Sequence, residues 1–239
     1  DEAGEHRRQA LGHVDPARLH QRAQFGQRLV VILAAVRTAD ADRGDASGTG
    51  YWSPISGGYR GDLLQLALGS VPNVPRVAGP GEVIGHTGSG IAIGPGTGDN
   101  MGAALGLDLQ PGDVAVSLGT SGTAFACSDV ATHDPTGQVA GFADATGRYL
   151  PLVCTLNAAR IITATAAMLG VDLDALARLA LQAPAGSEGL VLLPYFDGER
   201  TPNLPEATGS LHGITRSNYT PANIARSAFE GMLGGLADA

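Results

Sequence analysis

The alternation of apolar and polar positions along the chain predicts a mixed α/β protein. Two short β-type runs, 114–118 and 123–127, flank the glycine-bounded segment 119–122, and this arrangement predicts a hairpin. The other periodic segments predict strands at 90–93, 149–155 and 189–194, the last of them buried, and helices at 60–68, 158–169 and 173–181.

The last helix is predicted from its start signals and its apolar face. Thr220 is suited to the N-cap and Pro221 to the first helical position. Every fourth position beyond them is apolar, so one face should pack on a core: Ile224, Ala228, Met232 and Leu236.

Two segments in the first half of the chain have a different character. Residues 42–54 are rich in turn-forming residues and are predicted as a turn-rich stretch. In 94–106, closely spaced glycines give way to Ala and Leu, which predicts a strand that turns sharply into a helix. Asp99 and Asn100 fall at the N-terminus of that helix.

Residues 1–37 are rich in Arg, Gln and His and do not resemble the rest of the chain. Three histidines, His6, His13 and His20, recur every seven positions and would share one helical face. Because metal ligands on a helix are usually closer together, a solvated helix or arm is the preferred interpretation.

Composition narrows the classes of function. With 44% hydrophobic and 16% charged residues the chain should fold as one large domain or two small ones. A net charge of −8 without a basic cluster argues against a nucleic-acid partner. Cys127 and Cys154 lack metal or disulfide spacing and are predicted as small core residues. The longest apolar run, 29–36, is too short to cross a membrane, so a cytoplasmic protein without a membrane partner is predicted.

Asp99 is the first candidate for chemistry. A carboxylate there could be an ordinary helix N-cap, but a cap does not require glycines at 94, 96 and 98, which suggest backbone that leaves room for a ligand. Both interpretations remain open on spacing alone. A dinucleotide-binding interpretation fails because the third glycine of that fingerprint is absent.

Two further segments are weaker candidates. The 119–122 turn offers backbone N–H groups and two hydroxyls that suit a phosphate, although many such turns bind nothing. Asp197, Glu199 and Arg200 lie in one loop that could equally be a surface salt-bridged turn or part of a site.

Five segments taken together carry a family resemblance. They are Asp45-Ala-Ser-Gly-Thr49, Gly98-Asp99-Asn100 with its Ala/Gly helix, Ser117-Leu-Gly-Thr-Ser-Gly122, the segment 193–202 ending in Gly-Glu-Arg-Thr-Pro, and the segment 209–230. In this order, over about 200 residues, they resemble the FGGY carbohydrate kinases. Asp-Asn at 99–100, Gly-Thr-Ser-Gly and Gly-Glu-Arg-Thr-Pro are most similar to the xylulose-phosphorylating members.

The resemblance implies an α/β, ribonuclease-H-like ATPase fold of the actin and hexokinase type, with two domains that are both incomplete. It divides the chain into a leader at 1–37 that does not resemble the family, the end of the N-terminal sugar-binding domain at 38–110, and the first part of the C-terminal nucleotide-binding domain at 111–239. The Asp-x-Gly-Thr turn that opens the family's N-terminal domain is not found in the sequence.

The resemblance also implies an activity: transfer of the ATP γ-phosphate to a pentulose hydroxyl, with D-xylulose as first choice and Mg²⁺ bridging the phosphates. Asp99 would be the general base, and Asn100 would join it in binding the sugar. Gly119, Thr120, Ser121, Gly122 and Ala158 would contact the nucleotide, and no protein metal ligands are expected. Two alternatives remain for the function: a kinase of ribulose, glycerol or gluconate, and an inactive fragment that at most binds nucleotide. A homodimer is a possible oligomeric state.

Overall fold

The computed structural model describes residues 40–239. These residues form two compact units, one of 40–102 with 143–147 and one of 103–142 with 148–239. The predictions made for 1–37, namely the foreign leader, the histidine face and the apolar run 29–36, lie outside the described residues.

The first unit is built from short elements. Its helices are α1 (Arg43–Gly48), α2 (Gly61–Leu68) and α3 (Asp99–Gly106), the last of which continues into the second unit. Its strand pairs are β1 (Asp40–Ala41) with β4 (Arg76–Val77), β2 (Trp52–Ser53) with β3 (Gly58–Tyr59), and β5 (Gly85–His86) with β6 (Ala92–Ile93). A small core of Ala46, Trp52 and Ala143 packs with Tyr59 and Val77.

Helix α1 corrects the first half of the stretch predicted as turn-rich at 42–54, since residues 43–48 are helical and turns begin only after them. The Asp42 side chain caps it by accepting a hydrogen bond from the Asp45 N–H at 3.0 Å. Ser47 ties the helix to the chain near residue 143 because its Oγ accepts a bond from the Ala143 N–H at 2.9 Å. Two glycines give the segment low intrinsic helix propensity, so the cap and tertiary contacts determine the helix.

The second unit contains a four-stranded sheet and three helices. The strands are β7 (Val114–Leu118), β8 (Gly122–Ala126), β9 (Ala140–Ala143), β10 (Tyr149–Thr155), β11 (Val191–Leu193) and β12 (Ser210–His212), and the last residue of β9 belongs to the first unit. The sheet has the order β7-β8-β10-β9, and β11 pairs separately with β12. The helices are α4 (Ala159–Leu169), α5 (Leu173–Gln182) and α6 (Pro221–Asp238).

Helix α6 is the main packing element of the second unit, in contact with α4, α5 and β11. Its predicted start is confirmed, because the Thr220 side chain accepts a bond from the Asn223 N–H and Pro221 begins the helix. Ala228, Met232 and Leu236 are buried as predicted, and Ile224 is half-buried. Ala225 joins Ala166, Leu176 and Ala180 in the core between the helices.

Some sequence predictions differ from the structure in detail. The strand predicted at 189–194 is shorter and not fully buried, since Val191 is 55% exposed beside buried Leu190. Strand β7 lies at the edge of its sheet and exposes Val114, Val116 and Leu118. Cys127 is buried, and Cys154 is half-buried. No helix within residues 40–239 is both long enough and apolar enough to span a membrane.

Candidate functional site

Asp99 lies in the first turn of α3 with its side chain exposed. Its Oδ1 accepts hydrogen bonds from the Asn100 backbone N–H at 2.7 Å and from the Asn100 Nδ2 at 3.0 Å. Within the described chain no donor reaches the other carboxylate oxygen, Oδ2. Asp99 therefore has one oxygen held in place and one open to a hydroxyl group.

Close packing joins the segment before α3 to helix α1. A Cβ atom on Gly98 would lie 2.7 Å from Asp45 Oδ1, and one on Gly44 would lie 2.8 Å from Met101 Cγ. These contacts place two of the resemblance motifs, 45–49 and 98–100, side by side. The glycines that suggested room for a ligand have local explanations at two positions: Gly98 faces Asp45, and Gly96 has a positive φ of 84°.

Asp45 is an acidic neighbour of this turn that sequence reasoning did not select as a site residue. Partial burial raises the pKa of Asp45, and the negative charges of Asp42 and then Asp99 raise it further. Asp45 is nevertheless an exposed residue. Its presence in the Asp-Ala-Ser-Gly-Thr motif was the one sequence signal that could have identified it.

The 119–121 turn joins β7 to β8, which pair antiparallel with Leu118 opposite Gly122. The Gly119 N–H donates to the Ser121 carbonyl at 3.1 Å. Thr120 and Ser121 are exposed, and within residues 40–239 neither their hydroxyls nor their N–H groups have a hydrogen-bond partner. The turn thus presents a concentrated set of free donors, as suits phosphate oxygens.

Gly122, which follows the turn, and Ala158 are both buried within the second unit. A Cβ atom on Gly122 would lie 2.7 Å from Thr155 Oγ1 and 2.8 Å from Leu236 Cδ2, so packing explains this glycine. Ala158 is fully buried immediately before α4. Contacts of these two residues with a nucleotide stay predictions, and the burial of Ala158 leaves its backbone as the group that could make one.

In the loop at 195–202, Asp197 agrees with the interpretation as a surface salt-bridged turn, but Glu199 does not. Asp197 forms an exposed ion pair with Arg160 at 3.2 Å, in keeping with that interpretation. Glu199 is 3% exposed, and its carboxylate accepts bonds from Leu156 N–H at 2.6 Å, Arg200 N–H at 2.7 Å and Asn157 Nδ2 at 2.9 Å. Glu199 is therefore a buried, hydrogen-bonded carboxylate, for which a surface salt bridge is the wrong description.

A cavity of about 330 Å³ lies elsewhere in the second unit, between α6 and β11. Carboxylates of Glu230 and Asp238 line it, and burial together with the charges of Glu199 and Asp238 raises the pKa of Tyr195 on its wall. The sequence-predicted site residues do not line it. The two carboxylates in its lining would repel a polyphosphate, whereas the 119–121 turn offers hydrogen-bond donors. Among residues 40–239, no group of three or more His, Cys, Asp and Glu side chains is placed to hold a metal ion.

Residues 114–239, more than half of the chain, match the model of the FGGY family of carbohydrate kinases, C-terminal domain. The chain belongs to this family. The match begins at the first residue of β7. The region that matches the C-terminal domain therefore includes the 119–121 turn, α4, the loop with Glu199, and α6. Asp99 precedes this region.

Known FGGY kinases resemble the chain in sequence and in fold. The xylulose kinase of Streptomyces coelicolor is 44% identical over 203 residues, which cover 82% of this chain and 40% of that protein. The crystal structure of xylulose kinase from Bifidobacterium adolescentis, also 44% identical, superimposes with a TM-score of 0.76 over 83% of this chain and 44% of its own. Gluconate kinase from Lactobacillus acidophilus is 26% identical and has a TM-score of 0.78, with coverage of 84% and 44%.

These comparisons confirm the predicted fold class, that of the actin- and hexokinase-like ATPases. The chain spans 40% of the length of the Streptomyces coelicolor relative and 44% of that of the Bifidobacterium adolescentis relative, less than half in both cases.

Proposed function

We propose that this chain carries the phosphate-binding turn and the general base of an ATP-dependent sugar kinase that converts D-xylulose to D-xylulose 5-phosphate. The observation that carries the proposal is the 44% identity to a xylulose kinase over 82% of the chain. A match of that extent spans both Asp99 and the 119–121 turn, whose free donors suit phosphate oxygens.

The division of the chain between two domains is part of the proposal. Residues 38–110 would be the end of the sugar-binding N-terminal domain, and 111–239 the first part of the nucleotide-binding C-terminal domain. The start of the family match at residue 114 supports this division, as does the change of compact unit after residue 102.

In the proposed reaction the sugar hydroxyl attacks the γ-phosphorus of ATP. The new O–P bond forms as the bond from phosphorus to the β–γ bridging oxygen breaks, ADP leaves, and the hydroxyl proton passes to the open oxygen of Asp99. A carboxylate is a weak base for an alcohol, so the proton moves late and positioning supplies most of the acceleration. Asn100, already bonded to Asp99, would orient the sugar.

Thr120 and Ser121 would donate to the phosphates through their free hydroxyl and N–H groups, with Gly119 and Gly122 shaping the turn. Bound Mg²⁺ would supply charge neutralisation on the phosphates. The turn fits a metal-bearing polyphosphate, since it offers donors for phosphate oxygens and leaves the metal to phosphate oxygens and water.

A second candidate function is nucleotide binding without turnover. The observation that favours it is the coverage of 40% of the Streptomyces coelicolor relative, because the resemblance to the FGGY kinases implies further sugar and phosphate contacts outside the matched part. The 26% identity to a gluconate kinase keeps another family substrate as a third candidate.

A coupled ADP-release assay of the purified chain with MgATP tests these candidates. D-Xylulose, D-ribulose, glycerol, gluconate and no sugar are compared at equal concentration. The proposal expects release that depends on D-xylulose and exceeds release with the other sugars. Nucleotide binding by calorimetry without sugar-dependent release would favour the second function, and the highest release with gluconate would favour the third.

A further inference from the structure

The buried carboxylate of Glu199 has no place in the proposed chemistry, yet it has a full set of hydrogen-bond donors. Burying a charge is costly unless donors replace water, and three donors surround this one. An apolar side chain would fill the same space without that cost. The position therefore requires an acceptor that can hold several groups in fixed directions.

Two of the donors lie on the segment that connects β10 to α4. Leu156 donates from its backbone to Oε1, and Asn157 donates from Nδ2 to Oε2. Asn157 Nδ2 also donates to the Gly198 carbonyl at 2.6 Å. Both of its partners are acceptors, so the amide orientation is fixed and Oδ1 is left buried without a partner. A second tie joins the same elements, since Thr201 Oγ1 donates to the Cys154 carbonyl at 3.0 Å.

The segment held by Glu199 leads directly to the phosphate turn. Ala159, two residues beyond Asn157, donates its N–H to the Gly119 carbonyl at 3.0 Å. A continuous path of short contacts therefore runs from the Glu199 carboxylate through 156–159 to the first residue of the turn. Movement of 156–159 would displace the Gly119 carbonyl and the free donors of Thr120 and Ser121.

We propose that Glu199 is a positioning residue for the nucleotide, which fixes the 119–121 turn through Leu156, Asn157 and Ala159. The role in nucleotide binding rests on the proposed function. The chain of contacts from Glu199 to Gly119 is independent of that function. The side chain acts without touching the nucleotide.

The substitution E199Q tests the inference with little change in volume. Its oxygen can still accept from Leu156 and Arg200, which share Oε1, but its Nε2 would face the Asn157 Nδ2, so that two donors meet. N157A removes the amide that Glu199 holds. In E199Q/N157A no Nδ2 opposes the new amide, so E199Q should have a smaller effect in the N157A background than in the wild type. D197N is the matched control, because it removes an exposed carboxylate from the same loop.

MgATP affinity by calorimetry, the melting temperature and amide exchange at Ala159 are measured for each variant. Below its melting transition, E199Q should raise the Kd by about tenfold, the loss expected for misplaced phosphate donors. D197N should stay within about twofold of the wild type, and E199Q/N157A should stay within about threefold of N157A. Ala159 exchange should be faster in E199Q than in the wild type, and it should be about as fast in E199Q/N157A as in N157A.

The remaining outcomes separate the two claims. A lower melting temperature of E199Q with unchanged Kd would mean a merely structural role and would overturn the inference. If the wild type does not bind MgATP, the proposed function fails. If Ala159 exchange in E199Q equals that of the wild type, Glu199 does not position the 119–121 turn, whatever the nucleotide result. If E199Q does not fold, N157A replaces it as the test, and a wild-type Kd for N157A would overturn the inference.

Discussion

Gly231 in helix α6 lies directly over the backbone of Leu192 in β11, where a Cβ atom on residue 231 would come within 2.3 Å of the Leu192 carbonyl oxygen. The helix can approach the strand this closely because residue 231 has no side chain. Since the obstacle is backbone, a small side-chain adjustment cannot relieve the clash.

The substitution G231A should destabilise the second unit by about 1–3 kcal/mol, the usual cost of overpacking. Gly234, one turn along the same helix, has open space around its Cα. G234A should therefore stabilise the protein by about 0.5–1 kcal/mol through helix propensity. Urea unfolding of both variants checks the prediction, and equal effects of the two substitutions would contradict the packing account.

Glu230 should make stability depend on pH in the acid range. Burial alone would raise the pKa of this carboxyl, but hydrogen bonds from Gly186, Arg226 and Ser187 outweigh it and lower the pKa below the ordinary 4.5. A lowered native pKa adds stability that is fully present above 4.5 and is lost as pH falls through the native value.

The substitution E230Q should accordingly lower the melting temperature near neutral pH, and its difference from the wild type should shrink as the pH falls below 4.5. E206Q, which removes an exposed carboxylate, is the control. A difference between E230Q and the wild type that is constant over the whole range would exclude this role of the charge.

The hydroxyls of Thr120 and Ser121 should matter for nucleotide binding and hardly at all for stability. Both are exposed and lack partners in the described part of the chain, so T120A and S121A should change unfolding free energy by less than about 0.5 kcal/mol. Each hydrogen bond lost to a charged phosphate should raise the MgATP Kd by about tenfold or more. T208A, an exposed threonine of the same unit, should leave the Kd unchanged, and an equal Kd in all three variants would count against the turn as the phosphate site.

The sequence pattern predicts most of the second unit because its elements are governed by local signals. The strand Tyr149–Thr155 agrees in both bounds with its prediction, and α6 starts at Pro221 after the Thr220 cap as expected. These segments combine clear periodicity with strong boundary residues, so tertiary contacts reinforce what local preference already favours.

The features that sequence reasoning missed depend on long-range contacts. Helix α1 forms although it contains two glycines, because Asp42 caps it and the chain near 143 bonds to Ser47. Burial of Glu199 could not be predicted, since two of its three donors lie more than forty positions away along the chain. The contact between Asp45 and Gly98 is a further case. The sequence places Asp45 in the 45–49 motif but does not indicate that Gly98 lies beside it.

The turnover number for D-xylulose with D99N tests the central claim most directly. Asp62 provides a matched control, because it is also an exposed aspartate in the first turn of an eight-residue helix. If Asp99 takes the proton from the sugar, D99N should lower D-xylulose-dependent ADP release by about 10²–10⁴-fold, and D62N should leave it within about twofold of the wild type. Release by D99N equal to that of the wild type would contradict the account.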